Sequence, residues 1–280
     1  MTDIVAGRLL AAPLIARLKK RLASRRARLS IVQVGDNPAS LKFVQEKEKA
    51  CAKIGIEFEL IILPLTVSQE KAEETVRLLT KNPDVSGIVV QLPLPRSLDA
   101  SAIVSLIPPD KDPDVLSPLA FERFALGTSP LLPPTVGAIS HILKSKKVSL
   151  PQKSVLVVGM GRLVGLPLSL WLLRHGARVS VATSKTGDLA GLCLKADIVV
   201  SGVGKPRIIT GSMIQRGACV IDAGTSVEAG QSVGDVDTQS GDVDTQSVLK
   251  RAGILVPVPG GVGPLTVACL LSNLAELSGT

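Results

Sequence analysis

The chain has 280 residues, 45% of them hydrophobic, with 32 Lys and Arg against 24 Asp and Glu and a formal charge of +8. That length suffices for one large or two modest domains with cores of their own, and no stretch reaches the roughly 20 consecutive apolar residues that a membrane-spanning helix requires. The four cysteines, Cys51, Cys193, Cys219 and Cys269, form no CxxC pair, which excludes the usual zinc and disulfide frameworks and predicts small core residues in a reducing cytosol.

The first predicted element is a helix in which Leu14, Ile15, Leu18 and Leu22 recur at helical spacing. Its basic neighbours, Arg17, Lys19, Lys20, Arg21, Arg25, Arg26 and Arg28, then form a solvated face. With no Tyr, one Trp and four Phe, platforms for stacking bases are scarce, so the surplus charge suits a polyanionic small molecule and not nucleic acid. Strands are predicted at 30–34, 57–63 and 87–91, alternating with amphipathic segments at 38–54 and 68–81, a βαβ pattern.

A proline-dotted region without clear period spans 108–134, and 139–146 is predicted to be helical. The pattern then restarts: strand 155–158, a glycine turn, helix 166–174, and strands 178–182, 198–201 and 219–222. This is the order of a small dinucleotide-binding sheet. Gly159-Met160-Gly161-Arg162-Leu163-Val164-Gly165 follows a strand and opens a helix, where backbone N–H groups and a helix N-terminus can meet a phosphate. An NAD-specific site places an acid at the end of the next strand. Thr183-Ser184-Lys185 stands there instead, so NADP is expected, with NAD as the alternative and Arg162 or Lys185 as the cation.

The heptapeptide GDVDTQS occurs twice in succession, at 234–240 and 241–247. This is a local duplication, and its aspartates lack the terminal glutamate of a calcium loop. Near the C-terminus, Val256-Pro257-Val258-Pro259-Gly260-Gly261-Val262-Gly263-Pro264-Leu265-Thr266 holds too many glycines and prolines for a strand or helix interior. It predicts a shaped, ligand-facing loop, followed by a helix after Thr266.

That run resembles the PVPGGVGPMT signature of the methylenetetrahydrofolate dehydrogenase/cyclohydrolase family, with Leu265 in place of methionine. Other segments similar to the family's occur in its order: Val34-Gly35-Asp36-Asn37-Pro38-Ala39-Ser40, Lys47-Glu48-Lys49-Ala50-Cys51, Gln91-Leu92-Pro93-Leu94-Pro95, Lys111-Asp112-Pro113-Asp114, Val164-Gly165-Leu166-Pro167 and Gly234-Asp235-Val236. The resemblance implies a two-domain α/β fold: an N-terminal βαβ catalytic domain over 1–122 plus 265–280, and a Rossmann-like domain over 123–264. The C-terminal helix would return to the first domain, and the ligands would lie in the cleft between the two.

By resemblance, 5,10-methylenetetrahydrofolate is oxidised with NADP or NAD and the methenyl product is hydrolysed to 10-formyltetrahydrofolate, in a metal-free cytoplasmic homodimer. Lys47 would move the proton, Gln91 would hydrogen-bond it, and Asp114 would accept hydrogen bonds from the pterin. Ser40, Phe43, Leu92, Pro257, Gly260 and Gly261 would complete the substrate side. Gly159, Met160, Gly161, Arg162, Val164, Gly165, Ser184, Lys185, Gly202 and Thr225 would contact the dinucleotide.

Several residues depart from the family pattern. Phe43 replaces the tyrosine of YxxxK, Val115 the glycine of KDVDG, and Met160 and Gly161 the arginine and serine of GRS. A single-activity family member and a non-catalytic folate- or dinucleotide-binding protein are the alternatives these departures leave open.

Overall fold

A computed structural model describes residues 1–23, 25–224, 226–227 and 239–279. The elements begin with β1 (Asp3–Ile4), α1 (Gly7–Leu22), β2 (Arg28–Val34), α2 (Pro38–Ile54), β3 (Glu57–Leu63), α3 (Gln69–Lys81), β4 (Gly87–Val90), α4 (Ala100–Ser105), α5 (Pro118–Leu126) and α6 (Pro134–Ser145). They continue with β5 (Ser154–Val158), α7 (Gly165–Arg174), β6 (Arg178–Ala182), α8 (Leu189–Leu194), β7 (Ile198–Ser201), β8 (Cys219–Asp222), β9 (Ser226–Val227), β10 (Gln239–Ser240), α9 (Thr245–Val248), β11 (Ile254–Val256) and α10 (Val262–Leu277). Two compact units result, one of Ala12–Pro134 with Val267–Thr280, the other of Met1–Ala11 with Thr135–Thr266.

The first unit is built on a parallel three-stranded sheet in the order β3-β2-β4. Strand β2 is central, and six of its seven residues, including Ser30 and Gln33, are buried, as expected where helices cover both faces of a parallel sheet. Helix α3 starts at Ser68, whose hydroxyl accepts the Lys71 N–H at 3.2 Å, a side-chain N-cap. Its buried Ala72, Val76 and Leu79 pack with Val32, Val34, Ile88 and Val90 in one core.

The second unit carries a parallel six-stranded sheet in the order β1-β11-β8-β7-β5-β6. Strand order reverses between β5 and its neighbours β6 and β7, the switch point at which open α/β sheets bind ligands. Strands β7 and β8 are buried throughout, and Leu156, Val158, Val199, Val220 and Leu255 form the centre of the core.

The predicted boundaries at 122/123 and 264/265 differ from those of the compact units. α5 lies in the first unit and buries Phe124, so that unit runs to Pro134, the end of the proline-dotted segment, and not to 122. Met1–Ala11 belongs to the second unit because β1 pairs in parallel with β11. α10 starts at Val262 and not after Thr266; Gly263 and Pro264 lie in its first turn, where a proline lacks no needed N–H. The predicted basic face is exposed at Arg17, Lys19, Lys20 and Arg21, whereas Arg25 and Arg26 follow the helix and Arg28 opens β2. Among the described residues, no helix is long and apolar enough to cross a membrane.

Candidate active site

In the first unit the predicted residues converge at the C-terminal edge of β4. Helix α2 buries Val44 and Cys51, three residues before and four after Lys47, which places Lys47 at the rim of the buried face. The Lys47 Nζ donates to Gln91 Oε1 at 2.7 Å. Gln91 directly follows β4, its N–H held by the Val32 carbonyl at 2.9 Å, and its Nε2 donates to the Leu92 carbonyl at 3.0 Å. Its amide orientation is thereby set, with the oxygen toward the lysine. Phe43 lies half-buried one helical turn before Lys47, and Ser40 takes the Asn37 side chain on its N–H at 3.2 Å.

Asp114 is presented by a tight turn whose anchors are its neighbours. The Lys111 ammonium donates to the Thr80 and Asn82 carbonyls at 3.1 and 2.6 Å, closing the C-terminus of α3. Asp112 is fully buried and accepts the N–H groups of Leu116 and Ser117 at 2.9 and 2.7 Å. Between them Val115 has φ +57 and is 1% exposed, so a β-branched residue here takes a left-handed position of the kind that favours glycine. Such residues cost roughly 1–3 kcal/mol in that conformation.

Burial drives the electrostatics. It lowers the pKa of Lys47, opposed by the charges of Asp114 and Cys51. It raises that of Asp114 to about 6, with Lys47 pulling it down and Asp112 pushing it up. The Cys51 thiol is pushed up to about 12, by burial and by the Glu48 charge, and is no nucleophile. A lysine with a lowered pKa, one N–H engaged by an amide oxygen and a carboxylate nearby has the features of a proton-transfer group.

In the second unit, the glycine turn links β5 to α7 at the switch point. Gly159 has φ +96, and a Cβ on Gly165 would stand 1.8 Å from the Gly159 carbonyl oxygen, so the helix start packs on the turn at a distance only glycine allows. Met160 and Gly161 are exposed, and Arg162 and Val164 half-buried. The turn and the N-terminus of α7 therefore have the form of a phosphate cradle. At the end of β6, the Thr183 N–H bonds Thr186 Oγ1 at 2.9 Å, and Ser184 and Lys185 are exposed. Gly202 follows β7 and packs on the turn, since a Cβ there would lie 2.7 Å from Val164 Cγ1. Thr225 lies outside the described residues.

The proline-glycine run is also in the second unit up to Thr266. The Gly261 N–H bonds the Pro257 carbonyl at 2.9 Å, Gly260 has φ +95, and its carbonyl accepts the Gly7 N–H at 2.8 Å. The run is a closed turn leading into α10, with Pro259 and Gly260 exposed.

The roles of two residues, Asn273 and Asp242, escaped prediction. Asn273 of α10 is buried and donates to the Pro113 and Leu132 carbonyls, both at 2.8 Å, thereby clamping the turn that carries Asp114. Its signal was a lone Asn in the apolar face formed by Leu270 and Leu277. Asp242 is fully buried at the end of the six-stranded sheet, where its N–H bonds the equally buried Asp222 that ends β8. The predicted Gly234-Asp235-Val236 lies outside the described residues, whereas the second copy of the heptapeptide, 241–247, is described in full.

Comparison with known proteins accounts for this arrangement. Residues 5–114 match the catalytic domain of tetrahydrofolate dehydrogenase/cyclohydrolase, and residues 133–279 its NAD(P)-binding domain. The chain is 36% identical over 283 residues to the bifunctional protein FolD of Exiguobacterium sp., covering 99% of each. Its fold is similar to that of the bifunctional FolD enzyme of Campylobacter jejuni, with a TM-score of 0.92, 32% identity and coverage of 100% of this chain and 99% of that one. It is also similar to Trypanosoma brucei methylenetetrahydrofolate dehydrogenase-cyclohydrolase complexed with NADP and an inhibitor, with a TM-score of 0.94, 35% identity and coverage of 99% and 97%. The lysine, glutamine and aspartate at the edge of one sheet and the glycine turn on the other thus occur in a chain that belongs to the tetrahydrofolate dehydrogenase/cyclohydrolase family.

Proposed function

We propose that this protein oxidises 5,10-methylenetetrahydrofolate and hydrolyses the resulting 5,10-methenyl compound to 10-formyltetrahydrofolate. The observation that carries this reading is the 2.7 Å bond from Lys47 Nζ to Gln91 Oε1 beside the raised Asp114 carboxyl. Bound at the glycine turn, NADP would supply a hydride acceptor. Lys47, in its neutral form, keeps a lone pair while Gln91 Oε1 takes one of its N–H groups. That lone pair can accept a proton from the water that adds to the methenyl carbon, and the ammonium so formed can return it to the departing nitrogen. Asp114, ionised above about pH 6, offers two acceptor oxygens to the N–H edge of an aminopyrimidinone.

NADP is favoured over NAD because the end of β6 carries Thr183, Ser184 and Lys185 in place of an acid, and Ser184 and Lys185 are exposed there. The NADP held by the T. brucei relative supports the same choice. Assembly as a cytosolic homodimer rests on the family resemblance.

A steady-state assay with 5,10-methylenetetrahydrofolate and each dinucleotide in turn, following both products, tests the reading. Both products with NADP are expected, and neither product with either dinucleotide overturns it. Lys47→Ala is expected to lower methenyl hydrolysis by about 10²–10⁴-fold with NADP affinity unchanged; unaltered hydrolysis removes Lys47 from the reaction.

A further inference from the structure

The duplicated heptapeptide has no part in the chemistry above, yet its second copy is built into the six-stranded unit. Val243 and Val248 are buried and belong to the same core as Val199 and Val220. Val243 bridges to Ile209, whose N–H bonds the Asp242 carbonyl at 3.1 Å. Val248 directly follows the second copy, so docking the first copy in the same register would put Gly241 where Val248 fills the core. Burial of that valine selects the second copy.

Asp242 is thereby placed between two loop ends. Its Oδ2 accepts the Ser201 hydroxyl at 2.8 Å and the Val203 N–H at 2.7 Å, and its Oδ1 accepts the Lys205 N–H at 2.8 Å. All three donors come from the end of β7 and the loop after it. Asp222, at the end of β8, in turn accepts the N–H groups of Gly224, Asp242 and Val243 at 3.0, 3.2 and 2.9 Å. The fit leaves no slack: a Cβ on Gly224 would stand 2.2 Å from Asp242 Cγ, and one on Gly241 2.0 Å from Asp222 Oδ2.

The loop that Asp242 holds is packed on the glycine turn. A Cβ on Gly159 would lie 2.6 Å from Val203 Cγ1 and 3.0 Å from the Gly202 carbonyl oxygen. The two loops stand at the ends of β5 and β7, neighbours in the sheet that flank the switch point.

We propose that Asp242 is a positioning residue for the dinucleotide: its carboxylate fixes the loop of Gly202 to Lys205 against the glycine turn, and Asp235 in the first copy takes no part. The proposal rests on the reading of this unit as the NADP half-site. Asp242→Asn keeps the shape and leaves one acceptor oxygen, so its NH2 must face either Lys205 N–H or the Ser201 and Val203 donors.

The test is NADP titration and steady-state kinetics on the full-length chain. Asp242→Asn is expected to raise the Kd and KM for NADP by on the order of tenfold, with kcat at saturating NADP and methenyl hydrolysis close to wild type. A role confined to holding the fold together would instead lower hydrolysis and Tm together. Asp235→Asn is expected to change none of these. Should Asp242→Asn fail to fold, Ser201→Ala, which removes one of the three donors, is expected to raise the NADP Kd by about threefold. Unchanged NADP affinity in the folded Asp242→Asn or Ser201→Ala chain, or equal losses in the Asp235 and Asp242 variants, overturns the proposal while leaving the NADP half-site in place. Failure of the wild-type chain to bind NADP overturns both.

Discussion

Asn273 offers the most direct test of how the fold supports the chemistry, because it is a buried residue on the C-terminal helix with both amide hydrogens committed to main-chain carbonyls. Replacing it with leucine keeps the size and shape, excludes water, and strips the Pro113 and Leu132 carbonyls of their 2.8 Å donors. Each lost hydrogen bond is worth about 1 kcal/mol net, and a buried acceptor left unpaired costs roughly 1–3 kcal/mol. Pro113 is buried and Leu132 half-buried, so most of the cost falls on the turn that presents Asp114. Against this stands a gain of about 1 kcal/mol from burying apolar surface. The net expectation is a loss of roughly 1–3 kcal/mol, a fall in Tm of about 2–12 °C for a chain of this size. Thermal unfolding reads the stability, and steady-state kinetics read the site: the KM for the folate is expected to rise while NADP affinity stays unchanged. Asn273→Asp should be worse than leucine, since a carboxylate faces two carbonyl oxygens and donates nothing. A leucine variant with Tm within 1 °C of wild type and an unaltered folate KM would refute the clamp.

The remaining expectations concern the same turn. The Asp114 pKa of about 6 lies above its ordinary 3.8, so the carboxylate is lost as pH falls through about 6, and the folate KM is expected to rise there; Asp114→Asn should abolish that limb of the profile. The folded protein also holds the Asp114 proton more tightly than the unfolded chain, so stability falls as pH rises from about 4 to 6. Asp114→Asn is therefore expected to raise Tm relative to wild type at pH 8 but not at pH 4, and an equal shift at both would contradict this sign. At Val115, relief of the left-handed backbone offsets the loss of one more buried carbon, so Val115→Gly should match Val115→Ala in stability within about 0.5 kcal/mol. A glycine variant less stable than alanine by more than about 1 kcal/mol would show that φ +57 carries no strain.

Most of this was legible because the signals are local. Strands β3, β6, β7 and β8 and helix α2 have the limits that the apolar patterns and helical spacing predict: β7 and β8, buried throughout, read as apolar runs, while the edge strands β3 and β6 mix polar with apolar residues. Lys47, Gln91 and Asp114 could be named from short motifs, each with its own spacing. The residues that hold them could not. Asn273 acts on Pro113 across 160 positions of sequence, and nothing near either residue announces the other. β1 is two residues long, too short for any period, and its place is set by pairing with β11. The helix start at Val262 is obscured in the sequence because glycine and proline read as breakers, although a first turn needs none of the N–H groups that proline lacks.

The duplication shows the same limit from another side. Two identical heptapeptides have identical propensities, so no local reading can separate them. The residue that follows does: Val248 can enter the core only if the copy adjoining it is docked, and docking that copy delivers Asp242 to Ser201, Val203 and Lys205. Core packing thus places Asp242, fully buried, against the loop that faces the glycine turn. A residue's role is here fixed by a neighbour with no chemistry of its own, which is why the motif, present in both copies, could not single out Asp242 and the fold does.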